Sequence, residues 1–291
     1  MGLSSLHLDA FLAAAQARSF SQASTALHIT QSALSQRIKA LEEDLDLTLF
    51  IRMPRGVQLT DAGNRLLRYC QVRQALEEEL VQELAGESTA GLGGQVRIGG
   101  YSSVVRSVIL PALAPFLRKN PHVQPHIQNA EMRDLPDLLL SGSVDFIVMD
   151  RAFHRTDVDS VALGEEEYVM VESRLHPLSS ERENVYIDHD PGDHTSAELL
   201  RLQPGPLPKI RRAYLDETYA IIDGVAAGIG RAVLSRHLIV GDDRIQVVPN
   251  HKPMRVAVTL YYFRQPFYPA LHKAILATLT EHCPPLLAAR A

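Results

Sequence analysis

The chain has 291 residues, 46% of them hydrophobic, and a net charge of −5. That is enough apolar material for two or more buried cores, and the acidic balance excludes a coat protein that holds nucleic acid by bulk positive charge. No apolar run reaches the ~18 residues that suggest a membrane span, and the start reads as an amphipathic helix rather than a signal peptide. Two widely separated cysteines, Cys70 and Cys283, read as buried free thiols, with a redox pair as the alternative. A reduced, cytoplasmic protein without a membrane partner is expected.

The first elements are short helices. Phe11, Ala14, Ala15 and Phe20 fit the core side of a first helix, and Ser21 is placed to cap a second that carries Ala23, Ala26 and Leu27. Thr30 is placed to cap a third, because its hydroxyl can accept a first-turn N–H. Leu34, Ile38, Leu41 and Leu45 follow at spacings that bury one helical face. Ser32, Ser35, Gln36 and Lys39 fall on the other face, flanked by Gln31 and Arg37. Gln can bond both edges of an adenine, Arg both acceptors of a guanine, and Ser either. An ordinary solvated polar face is the alternative for this helix taken alone.

Beyond it, Ile51, Val57 and Leu59 alternate with polar residues around Met53-Pro54-Arg55-Gly56. Pro fixes φ and Gly permits φ > 0, which is hairpin chemistry. Arg52 and Arg55 on that hairpin are placed to meet phosphates. Helix, turn, helix and basic hairpin together read as a winged helix-turn-helix that sets its third helix in the major groove of double-stranded promoter DNA. Residues 1–60 carry five basic and five acidic side chains. So balanced a reader is expected to gain affinity by binding two half-sites as a dimer.

The run from Phe20-Ser21-Gln22-Ala23 through Thr30-Gln31-Ser32-Ala33-Leu34-Ser35-Gln36-Arg37 to Leu59-Thr60-Asp61-Ala62-Gly63 resembles the DNA-binding domain of the LysR-type transcriptional regulators. Length and the downstream pattern extend the resemblance over essentially the whole chain. It implies three parts: a winged helix-turn-helix over 1–60, a linker helix and hinge over 61–94, and an effector-binding domain over 95–291.

The long helix expected from Thr60 to about residue 86 has an apolar stripe of Leu66, Tyr69, Cys70, Leu76, Leu80 and Leu84. It could fold back on its own domain; the resemblance implies pairing with another subunit, in a homodimer or homotetramer. Gly86 to Gly94 reads as a hinge. Strands are then expected near 96–98, 123–127, 146–149, 167–172, 184–187, 209–214, 231–234, 244–248 and 255–263. Helices are expected near 103–119, with a kink or restart at Pro111, and near 134–141, 195–202, 217–227 and 267–282. Such alternation argues a mostly parallel α/β fold. The resemblance adds two lobes like a type 2 periplasmic binding protein, lobe I over about 95–163 and 265–291, lobe II over about 164–264.

Gly99-Gly100-Tyr101-Ser102-Ser103 lies where a strand feeds a helix. Free N–H groups and hydroxyls there suit a carboxylate, with simple capping by Ser102 or Ser103 as the alternative. The resemblance places this turn in an effector cleft. Gln128, Asn129 and Glu131 at the end of the next strand, and Thr218 at the start of a later helix, are candidates for the same cleft, which is expected to take a small polar or anionic metabolite. Asp188-His189-Asp190-Pro191-Gly192-Asp193-His194 has metal-type residues at short spacing. Its central Pro-Gly favours a solvated loop. No catalytic motif, metal site or cofactor is expected. A solute-capturing module or an α/β enzyme would be the competing functions.

Overall fold

The computed structural model describes residues 2–54, 56–84 and 92–288. Arg55 and the expected hinge residues 86–91 lie outside them. The chain opens with three helices, α1 (Ser5–Ala17), α2 (Phe20–Ala26) and α3 (Gln31–Leu45). A two-stranded wing follows, β1 (Phe50–Met53) and β2 (Gly56–Leu59), then the long helix α4 (Asp61–Leu84). Phe11, Leu34, Leu41 and Ala23 are fully buried in one cluster with Leu8, Ile38 and Phe50. Burying each large apolar side chain of that kind stabilises by ~1.5–3 kcal/mol.

Two local expectations change. Ser19, not Ser21, caps α2 by accepting the Gln22 N–H at 3.3 Å, and the Ser21 carbonyl accepts the hydroxyls of Ser24 and Thr25. Ile51 points outward and is half exposed, while Phe50 takes the inward position and stacks edge-on with Phe20. A four-residue strand has too few alternations to fix which face is inside.

The C-terminal part begins with β3 (Gly93–Gly100). Next come α5 (Ser102–Val104), a π-helical turn (Val105–Ile109) and α6 (Leu110–Lys119), continuous as one bent rod. The Leu110 N–H reaches back five residues to the Val105 carbonyl just before Pro111, which has no N–H to offer. The chain continues as β4 (His122–Asn129), α7 (Leu135–Leu140), β5 (Phe146–Met149) and the 16-residue β6 (Val158–Ser173). Then come β7 (Val185–Asp188), α8 (Thr195–Arg201), β8 (Arg211–Tyr214) and α9 (Thr218–Ala226). The last elements are β9 (Ala232–Ser235), a 3-10 turn (Arg236–Leu238), β10 (Ile245–Val247), β11 (Met254–Phe263) and α10 (Ala270–Leu287).

Parallel pairing is narrower than expected. It joins β3 to β4 and β5, and β7 to β8. The two longest strands, β6 and β11, run antiparallel through the middle of a seven-stranded sheet ordered β10-β6-β11-β5-β3-β4, with β9 beside β6. These strands serve two groups of cores. Phe146, Leu260, Ile275 and Leu113 fill one side; Val171, Ile187, Val225 and Leu234 fill the other. Between them the β6–β11 register slips at Val258/Thr259, opposite Gly164, as a bulge does when a strand must bend between packed layers.

Candidate functional site

The DNA-reading candidates lie on α3 and the wing. Thr30 caps α3, its Oγ1 accepting the Ala33 N–H at 3.1 Å and lying 3.0 Å from the Ser32 hydroxyl. Gln31, Ser32, Gln36 and Lys39 are exposed on this helix, and Ser35 and Arg37 are half-buried. Lys39 forms an i,i+4 pair with Glu43 at 3.4 Å, an exposed contact of small net worth. Arg52 stands exposed on β1 with its guanidinium 5.6 Å from the Phe20 ring centre.

Two contacts fix the ends of the wing, one to α3 and one to the start of α4. Glu42 Oε1 accepts the N–H groups of Leu49 and Phe50 at 2.7 and 3.3 Å. Thr60 caps α4 through the Gly63 N–H at 3.0 Å and also donates its hydroxyl to the Thr48 carbonyl at 2.7 Å. A Cβ on Gly63 would stand 2.3 Å from the Leu49 carbonyl oxygen, so the Leu-Thr-x-x-Gly run has a steric reason. In the sequence Glu42 comes just after the recognition face, with Glu43 and Asp44. Its role depends on the return of the chain seven residues later.

The effector candidates gather at the carboxyl ends of the parallel strands, where α/β sheets form their ligand crevices. Gly99 and Gly100 lie opposite Gln128 and Asn129 in the β3–β4 register. Glu131 follows on the exposed turn, and Asp150 immediately follows β5. Neither Ser102 nor Ser103 caps the rod. Tyr101 is the N-cap residue, without a side-chain bond to the first turn. Across the gap, Thr218 opens α9, whose cap is Glu217 accepting the Ala220 N–H at 2.7 Å. Arg106 of the π turn lies 3.8 Å over the ring of Tyr219, and Arg106, Ser107, Tyr219 and Ile222 line a cavity of about 250 Å³. A cavity of about 610 Å³ lies elsewhere, between α4 and the start of β3 around Gln71, Gln95 and His272.

A buried polar network that sequence reading missed ties this region together. Glu166, midway along β6, is fully buried. Its Oε1 accepts the hydroxyls of Tyr101 and Tyr168 at 2.8 and 3.0 Å. Its Oε2 accepts the Ser235 hydroxyl at 2.7 Å and lies 2.8 Å from His237 Nε2. Ser107 spends its one proton on the Ser103 carbonyl at 2.6 Å. Its oxygen also lies 2.7 Å from His237 Nδ1, so the ring bridges Ser107 and Glu166, and the Glu166 carboxylate has four side-chain partners. Burial, and then the nearby Glu166 charge, push the Tyr101 and Tyr168 phenols well up. Burial first, and then Glu166, raise the Asp150 carboxyl to about 6. In the sequence, Gly-Glu-Glu-Glu at 164–167 falls at the start of the strand expected near 167–172, and Glu166 is not among the candidates. The usable signal was Glu166, Tyr168 and Met170 sharing one face at strand period.

The His/Asp loop is a braced turn. Arg212 bonds the Asp188 carboxylate at 2.6 Å and the carbonyls of Asp190, Pro191 and Asp193. Asp193 accepts from His189 N–H and from Thr195. No group of three His, Cys, Asp or Glu side chains suited to a metal occurs among the described residues. Cys70 and Cys283 are buried in separate cores, where burial pushes their thiols up to about 11 and about 12.

Two family models match the chain: the bacterial regulatory helix-turn-helix of the lysR family over residues 6–64, and the LysR substrate binding domain over residues 89–284. The chain belongs to the LysR-type family of transcriptional regulators, which bind promoter DNA and small-molecule effectors and are not enzymes. It is 28% identical over 252 residues to the RuBisCO operon transcriptional regulator of Allochromatium vinosum, covering 82% of each chain. Among solved structures it is similar in fold to ArgP from Mycobacterium tuberculosis, with TM-score 0.77, 20% identity and 99% of both chains covered. LysG from Corynebacterium glutamicum with bound effector Arg gives TM-score 0.75 at 17% identity, covering 97% of this chain and 98% of that one.

Proposed function

We propose that residues 1–60 read promoter DNA, 61–94 link and pair subunits, and 95–291 sense a small polar metabolite between lobe I (about 95–163 and 265–291) and lobe II (about 164–264). Gln31, Ser32, Ser35, Gln36 and Arg37 read bases, with Thr30 and Lys39 on the backbone side and Arg52 and Arg55 on phosphates. Ser102, Ser103, Gln128, Asn129, Glu131 and Thr218 line the cleft. An anionic group on the ligand would meet the first-turn N–H groups of the rod at Ser102 and Ser103, which no side chain caps.

The observation that carries this reading is the network on Glu166. It draws Tyr101 and Ser107 from beside the first core, and Ser235 and His237 from beside the second, onto one crossing strand. A ligand at the carboxyl ends of β3, β4 and β5 touches the residues that set the angle between the two. Stabilising one angle then favours one arrangement of the paired DNA readers, with coupling of ~1–3 kcal/mol typical for such devices. Pairing runs through the exposed Leu76, Leu80 and Leu84 of α4, in a dimer or tetramer acting in the cytoplasm.

Electrophoretic shift with DNA upstream of its own gene tests the reader. A complex that survives excess unrelated duplex supports it, and binding no tighter than to unrelated duplex contradicts it. Calorimetry of Ser102→Ala, Ser103→Ala and Thr218→Ala with a ligand found by thermal-shift screening tests the cleft. Wild-type affinity in all three would move the site.

A further inference from the structure

One face of α4 belongs to the sensor. Arg68, Gln71, Ala75 and Glu79 recur at three- and four-residue spacing, so they share a side of the helix. All four border the cavity of about 610 Å³ between α4 and the start of β3. The exposed Leu76, Leu80 and Leu84 lie on a different side. Leu67 and Cys70, on a third, are buried in the core of the DNA reader, and Arg73 is paired with Asp9 of α1. The first turns of α4 are therefore fixed to the reader.

Three contacts cross from this face to the sensor. The N-cap residue of α10 is Pro269, which makes no side-chain cap. Glu79 supplies one from 191 residues earlier in the chain: its Oε1 accepts the Ala270 N–H, which sets a carboxylate at the positive end of an 18-residue helix. Gln71 Nε2 donates to the Gly142 carbonyl at 3.0 Å, and Arg97 of β3 donates to the same oxygen at 3.0 Å. Gly142 sits at φ +67°, and a Cβ there would stand 3.0 Å from Leu67 Cδ2, so glycine is what lets this turn approach the helix. Arg68 holds its guanidinium 3.7 Å from the ring centre of Phe263, the last residue of β11. Each is a single polar or cation–π contact beside a cavity. Such contacts break and re-form without opening a packed core to water.

We propose that Arg68, Gln71 and Glu79 form a clasp between the sensor and the DNA reader of one chain, and that they are the positioning residues through which the state of the sensor reaches the reader. The inference rests on the proposed reader and sensor and adds the route between them. That route bypasses the covalent connection at 85–91. A shift of the Gly142 turn or of α10 moves the clasped face of α4, and with it the reader core to which the same helix is fixed.

Hydrogen exchange on the full-length protein tests this, with DNA as the probe. In the free protein the Ala270 amide exchanges about 10-fold faster in Glu79→Ala than in wild type, and Glu79→Gln, which keeps an oxygen acceptor, falls between. Saturating duplex from upstream of its own gene changes wild-type exchange at 142–145 and 270–273 by about 3-fold or more. In Gln71→Ala with Glu79→Ala, folded by circular dichroism and saturated with the same duplex, α1, α2 and α3 respond as before while the response at 142–145 and 270–273 is lost. If that double variant does not fold, Glu79→Gln takes its place with a reduced response, and the wild-type response still decides.

An Ala270 amide that exchanges alike in wild type and Glu79→Ala overturns the clasp. So does bound duplex that leaves 142–145 and 270–273 unchanged in the wild type, or a response that survives in the double variant. Equal binding of upstream and scrambled duplex, with the same response in the sensor, contradicts sequence reading by α3 and upholds the clasp. Failure to bind either duplex at about 50 mM salt overturns both.

Discussion

Gln31 and Ser35 face outward from a helix whose other face is sealed by Leu34, Ile38 and Leu41, so their substitution changes recognition more than folding. Gln31→Ala and Ser35→Ala are expected to weaken operator binding by ~1–3 kcal/mol each with little loss on unrelated duplex, measured by fluorescence anisotropy. Arg52→Ala should weaken both kinds of binding and lower the slope of log affinity against log salt by about 1. The two faces of α3 were legible because its polar residues and the buried stripe separate at a 3.6-residue period. Glu42 and Glu166 were not legible. Apart from Tyr168, their partners lie 7 to 71 residues away along the chain, and an acidic run looks the same in sequence whether it is solvated or bonded. Asp150 carries its own pH signature. With its folded carboxyl raised to about 6, the stability that goes with its proton is present in acid and lost as pH rises from about 4 through 6. Asp150→Asn should therefore melt higher than wild type at pH 7.5 without ligand, and the two melting curves should converge near pH 4.

The helix α4 divides into two parts. Leu67 and Cys70 complete the core of the DNA reader, so its first turns do fold back on their own domain. Farther along, Leu76, Leu80, Val81 and Leu84 are 36%, 53%, 65% and 78% exposed, a stripe with no partner among the described residues. Placing Glu at Leu76 and Leu80 together is expected to convert the assembly to monomer in sedimentation velocity at micromolar concentration and to weaken operator binding. A wild-type chain that already sediments as a monomer would contradict the pairing. Both alternatives for this helix were present in the sequence, because one stripe served two surfaces in succession. Strand β6 shows the opposite case. Only its second half had the apolar alternation that marks a strand, and its first half, with Gly164 and three glutamates, is held in the sheet by ten residues of pairing with β11. Tertiary pairing outweighed local composition there.

For the whole molecule, alternating strands and helices foretold an α/β protein. They did not show that its longest strands are antiparallel and shared between two groups of cores. On the proposed reading, that sharing is what would let a small ligand act at a distance, through the bend at the bulge near Gly164. A ligand that binds one angle better must shift the DNA-binding equilibrium by the same factor by which DNA shifts the ligand's own affinity. The most direct test is an anisotropy titration of upstream promoter duplex with the full-length protein at fixed salt, without ligand and with the screened metabolite at a concentration that calorimetry shows to be saturating. The account predicts that the ligand changes operator affinity by ~5-fold or more, or moves the protected boundaries in a parallel footprint. Superimposable titrations and identical footprints, with the ligand demonstrably bound, would contradict it.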